Sequence, residues 1–174
     1  MRFKRKRGGV KVEVDEVEVR VLNQLVTALL SVVEAPEVSD DPLAALVGMP
    51  AGDIEPPDNP LLQRLLPDAY VDDPAAAGEF RRFTDADLRA SKRAAATALV
   101  EALPEGGGTI VLDRDQVDQW LTCFNDLRLL LGTAIGVTQD DEAREPATFE
   151  ENAYRWLTGM QDWLLSCVDP RPAS

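Results

Sequence analysis

The eighteen residues from Trp120 to Val137, W-L-T-C-F-N-D-L-R-L-L-L-G-T-A-I-G-V, decide how this chain is read. Val117, Trp120, Leu121, Phe124, Leu127, Leu131 and Ile135 recur at three- and four-residue steps and line one side of a helix. Asp113 is a suitable N-cap, and Gly136 is a suitable stop near Ile135. One polar knot, Asn125, Asp126 and Arg128, interrupts the apolar run. It reads either as a site for a partner or ligand, or as an internal network tying this helix to its neighbours. Cys123, one turn from both Trp120 and Leu127, sits on or beside the same core face.

Downstream, residues 138–147 form an acidic loop. A last helix follows over roughly Thr148–Cys167, with Phe149, Ala153, Trp156, Met160, Trp163 and Leu164 expected inside and Asp169-Pro170 ending it. If the two helices form an antiparallel hairpin, Cys123 lies near residue 162. Cys167 is then displaced by about 7 Å along the axis at ~1.5 Å per residue. That stagger suits a disulfide poorly. Both cysteines read best as small buried hydrophobes, the alternative being a redox pair, Cys123 with Cys167.

Upstream, Gly106-Gly107-Gly108 breaks the chain before a β-branched strand, Thr109–Leu112. A helix is expected from Thr84-Asp85-Ala86-Asp87, read as a capping box, to Leu103 before Pro104. Residues 35–74 are rich in proline and aspartate, with short helices expected at Pro42–Val47 and Pro60–Leu66. At the N-terminus, Arg2–Arg7 and Val10–Val14 flank Gly8-Gly9, a hairpin signal. Val10, Val12 and Val14 alternate with Lys11 and Glu13, giving one apolar face that Phe3 joins. Between Asp15 and Glu34, Val17, Val21, Leu22, Leu25, Val26, Leu29 and Val33 mark an amphipathic helix.

The expected fold is mainly α. It is a single-domain helical bundle over residues 1–174, with a small antiparallel sheet formed by the N-terminal hairpin (1–14) and the short central strand (109–112). A helix covers 15–34, the Pro-rich segment 35–74, and a helical core 75–168. A chain of 174 residues can bury a substantial core as one domain. No apolar run is long enough to cross a membrane and no secretory signal is read, so a cytoplasmic location is expected.

The chain contains no histidine. Ser-His-Asp and Cys-His nucleophilic sites are therefore excluded, as are zinc sites that use histidine, and two cysteines cannot form a four-thiolate site. No phosphate-binding glycine loop is present, since the triple glycine precedes a strand instead of opening a helix. The acidic clusters Asp40-Asp41, Asp72-Asp73 and Asp140-Asp141-Glu142 lack the calcium-loop spacing and read as solvated loops. The expectation is a non-enzymatic protein without metal or cofactor.

Charge is segregated. Arg2, Lys4, Arg5, Lys6, Arg7 and Lys11 precede any acid, and residues 12–174 carry a net −19 within a total of −13. The basic arm reads as an anion or partner contact, or as a charged edge strand that discourages aggregation. The acidic body opposes broad duplex binding. Arg89, Lys92 and Arg93 lend one helix modest basic character, but the order of elements does not match a winged helix-turn-helix.

With M-R-F-K-R, E-V-R-V-L-N-Q-L, P-L-L-Q-R-L-L-P-D-A-Y, R-R-F-T-D-A-D-L-R and W-L-T-C-F-N-D-L-R-L-L-L-G-T together, the chain resembles an actinobacterial family. That family is known as a domain of unknown function and as the oxidative stress transcriptional regulator AosR. The resemblance runs nearly the full length. It implies a cytosolic regulator that responds to oxidants through a protein partner such as a sigma factor or RNA polymerase, with the basic arm touching the partner or DNA. Truncating residues 2–7 is then expected to weaken partner or promoter binding with little loss of fold. The rival reading is a general adaptor or homodimeric interaction module, with Trp120, Trp156 and Trp163 as core or interface anchors.

Overall fold

The computed structural model describes residues 1–33, 59–70, 72–137 and 147–168. The expected helix at 42–47 and the acidic clusters at 40–41 and 140–142 lie outside them. The chain order is β1 (Arg2–Lys6), β2 (Gly9–Asp15), α1 (Glu16–Val32), α2 (Pro60–Leu65), α3 (Pro74–Ala102), β3 (Gly107–Leu112), α4 (Arg114–Ala134) and α5 (Phe149–Val168). The mainly helical fold with one small antiparallel sheet is as expected.

The sheet has the order β1-β2-β3, both pairings antiparallel. Phe3 faces Val12, and Val12 faces Ile110, so one face of all three strands is apolar. Phe3, Val10, Val12, Val14 and Leu112 are buried beneath it. The hairpin closes one residue earlier than expected, with Lys6 paired to Gly9 and the turn at Arg7-Gly8. Gly9 is needed because β3 crosses close by. A Cβ there would lie 2.0 Å from the Leu112 carbonyl oxygen.

Asp15 ends β2 and caps α1. Its carboxylate accepts from the Glu18 N–H at 2.9 Å, while Glu18 accepts from the Asp15 N–H at 2.9 Å, a full capping box. The buried stripe of α1 is Val19, Leu22, Leu25, Val26, Leu29 and Val33. Val17, expected inside, is 63% exposed, because the stripe is phased from Val19.

The largest departure is α3. It begins at Pro74, capped by Asp73, ten residues before the expected start. The apparent cap Thr84 is mid-helix, and its hydroxyl donates to the Phe80 carbonyl at 3.0 Å. The alanines at 75–77 extend the helix upstream, and proline at its first position costs nothing.

Helix α4 is central. It packs against α1, α2, α3, α5 and the strands β2 and β3. Asp113 and Gln116 form its capping box. Gly136, at φ 66, closes it in the left-handed conformation, and the Val137 N–H reaches back to the Gly132 carbonyl at 2.8 Å. Helix α5 lies antiparallel on α4 with Ala153, Leu157, Leu164 and Cys167 buried. Phe149 and Trp163, expected inside, are 48% and 40% exposed, because the contact seam runs through 153, 157, 160, 164 and 167. Trp163 instead flanks the sheet, edge to face with Phe3 at 6.0 Å.

Candidate functional site

Two regions gather the polar residues singled out by sequence: a buried centre between α3, α4 and α5, and the outer face of the sheet.

The polar knot on α4 divides three ways. Asn125 is exposed. Asp126 is 1% exposed and accepts from Lys92 Nζ of α3 at 2.7 Å through Oδ1. Its Oδ2 has no hydrogen-bond partner. Burial raises the Asp126 pKa, opposed by the hydrogen bond and charge of Lys92. Arg128 turns to α5, donating from Nε to Thr158 Oγ1 at 2.9 Å and from a terminal nitrogen to Gln161 Oε1 at 2.6 Å. Its guanidinium also lies over the Tyr154 ring, 5.5 Å from the centroid. Gly132 makes room for that ring, since a Cβ would come within 3.3 Å of it. Asp126 therefore ties α4 to α3, and Arg128 ties α4 to α5.

The α3 side of this centre was not anticipated. Asp85, Arg89 and Lys92 are all buried. Arg89 Nε donates to Asp85 Oδ2 at 2.6 Å, one turn away. Buried Arg81 pairs with Asp68 in the segment before α3. Arg89 and Lys92 are thus internal, and α3 offers no row of cations suited to a DNA groove. A sequence signal existed: Asp85, Arg89, Lys92, Ala96 and Leu99 recur at four- and three-residue steps on one stripe. The charges share the phase of the buried Ala96 and Leu99.

Cys123 and Cys167 are both free and buried. The contacts of Arg128 with Thr158 and of Gly132 with Tyr154 place residue 163 level with Cys123 along the helix axes, one helical turn from Cys167. Burial, with the Asp126 charge adding to it, pushes the Cys123 thiol up to about 12. In this folded state Cys123 carries almost no thiolate, the form that reacts with oxidants.

The outer face of the sheet is cationic. Arg2, Lys4 and Lys6 alternate with the core-facing Phe3, and all three are exposed. Lys4 faces Lys11, and Arg2 faces Glu13. Glu13 is engaged by Lys11. Arg5 and Arg7 are exposed at the hairpin end. These cations belong to a paired edge strand and not to a detachable arm, since Phe3 is in the core. The expectation that residues 2–7 can be removed with little loss of fold is therefore corrected, because β1 is paired and Phe3 is buried. Among the described residues, no group of three or more histidine, cysteine or acidic side chains is placed to hold a metal ion. No helix among them is long and apolar enough to cross a membrane.

Residues 1–168 match the family described as "Domain of unknown function (DUF2017)". The chain belongs to this family. It is 34% identical over 167 residues to the "Putative oxidative stress regulator AosR" of Mycobacterium leprae, covering 85% of this chain and 77% of that protein. It is 30% identical, with the same coverage, to the "Oxidative stress regulator AosR" of Mycobacterium tuberculosis. No solved structure matches. The matched region of DUF2017 takes in both the sheet and the buried ionic centre, so both lie within the shared domain.

Proposed function

We propose that this chain is a cytoplasmic, non-enzymatic regulator of the oxidative-stress response that acts by binding a protein of the transcription machinery, a sigma factor or RNA polymerase. The names of the mycobacterial relatives support the regulatory role. The observation that carries the choice of surface is the cationic outer face of β1, where Arg2, Lys4 and Lys6 are exposed on a strand fixed by pairing. The net −19 of residues 12–174 opposes broad duplex binding, which leaves the cationic strip as a local contact for a protein partner. Oxidation at Cys123 would require the packing around α4 to open, because the thiol is fully buried.

The test is a pull-down of the full chain from its native cytoplasm, with and without peroxide, read by mass spectrometry. It is run beside an Arg2→Gln/Lys4→Gln/Lys6→Gln variant that keeps Phe3. Capture of polymerase or a sigma factor by the parent and its loss in the variant is the expected result. Equal capture by both removes the sheet face from the reading. Recovery of unrelated proteins, unchanged by peroxide, favours an adaptor or homo-oligomeric module, to which the exposed Phe80 and Phe83 on α3 also point.

A further inference from the structure

The outward face of α3 carries a second pattern, separate from its buried ionic stripe. Glu79, Phe83, Ala86, Ala90, Arg93 and Thr97 recur at steps of four and three, and every one is exposed. That is the spacing of a helix–helix seam. Phe83 is 57% exposed and its neighbour Phe80 is 45% exposed. Two adjacent aromatic rings on a water-facing helix mark a contact surface more readily than a solvated one.

The pattern becomes self-complementary when the helix is reversed. Glu79 and Arg93 lie seven residues before and after Ala86. Among the described residues, neither makes an ion pair within the chain. A second copy of α3, antiparallel and related by a two-fold axis at Ala86, sets Glu79 against Arg93 twice. The same operation lays Phe83 beside Ala90 of the second copy, so a bulky ring meets a small side chain. Ala86 meets its own mate on the axis. Alanines at 86 and 90 let two helices approach at the close end of the usual 8–10 Å range, over a seam of roughly 21 Å from Glu79 to Arg93. Reversed charge at the two ends and reversed bulk about the middle suit this chain's own copy, and an unrelated partner would not require either.

We infer that the protein forms a two-fold homodimer through the outward face of α3, with Glu79–Arg93 pairs flanking a Phe83–Ala90 contact. This goes beyond the regulatory reading and does not depend on it. The interface is isologous, as two-fold dimers are. It lies on a different element from the cationic sheet face.

Sedimentation equilibrium of the full chain tests it. The parent chain is expected to dimerise, and Phe83→Glu to be monomeric with an unchanged helical circular dichroism spectrum, since the side chain is exposed. Glu79→Arg and Arg93→Glu are each expected to weaken dimerisation by about tenfold or more, because each puts two like-charged pairs across the seam. The Glu79→Arg/Arg93→Glu double variant is expected to restore it. Ala86→Cys is expected to yield a disulfide-linked dimer on mild oxidation, since Cys123 and Cys167 are buried. A parent chain that stays monomeric overturns the proposal, as does a dimer indifferent to Phe83→Glu. A double variant no better than the single reversals overturns the antiparallel register.

Discussion

Replacing Lys92 by methionine isolates the buried ionic centre. The substitution keeps the length of the side chain and removes the only described partner of Asp126, whose Oδ2 already lacks a hydrogen bond. Breaking a buried pair from one side leaves an uncompensated charge and costs ~3–5 kcal/mol. Against a stability of about 5–15 kcal/mol for a domain, that is a large fraction. At roughly 2–4 °C per kcal/mol for this chain length, the midpoint should fall by about 6–20 °C. Asp126→Leu in the same background removes the stranded carboxylate, so the double variant should recover most of the loss and can exceed the parent. The pH dependence has a definite sign. Burial raises the Asp126 pKa in the folded state, and losing Lys92 raises it further. A raised carboxyl pKa contributes fully below the unfolded value near ~3.9 and is lost as pH rises through the folded value. The penalty of Lys92→Met should therefore be larger at about pH 7.5 than at about pH 4. Urea titrations followed by fluorescence of the fully buried Trp120 measure both effects. A single-variant cost below about 1 kcal/mol, or a double variant as unstable as the two singles combined, would refute the reasoning.

Three further outcomes can be measured, one at Cys123 and two on the sheet. The Cys123 thiol, held up to about 12 against an ordinary 9, should carry about a thousandfold less thiolate than an exposed cysteine near neutral pH. A thiol-specific reagent should thus label it only as urea unfolds the chain, and fast labelling under native conditions, located at Cys123 by peptide mapping, would contradict the burial. Phe3→Ala should cost ~3–5 kcal/mol by urea titration, since the ring is buried and meets Trp163. The Gln substitutions at Arg2, Lys4 and Lys6 should stay within about 0.5 kcal/mol on the same measure, because these side chains are exposed.

Local signals carried much of the architecture. The alternation Val10-Val12-Val14, the cap at Asp113 and the stop at Gly136 each depend on interactions within a few residues, so they are legible without the fold. The central helix was readable for the same reason, because its apolar stripe from Val117 to Leu131 is continuous. The true start of α3 was hidden because Thr84 resembles a cap. A mid-helix threonine and a capping threonine differ only in whether the preceding turn is already helical. The preceding alanines and Pro74 were compatible with either.

The sequence by itself determined the absence of histidine chemistry, the segregation of charge and the existence of a polar interruption in α4. Tertiary structure alone decided what that interruption does. Lys92 and Asp126 are 34 positions apart, and their pairing exists only because α3 and α4 pack side by side. The same packing turned Arg89 and Lys92 inward from an apparent basic surface. Tertiary packing also set Phe3 in the core, through the sheet and α5, and so converted a basic arm into a fixed strand. It also left Phe80 and Phe83 facing water, since only a neighbour's position determines which of two plausible stripes on a helix is covered.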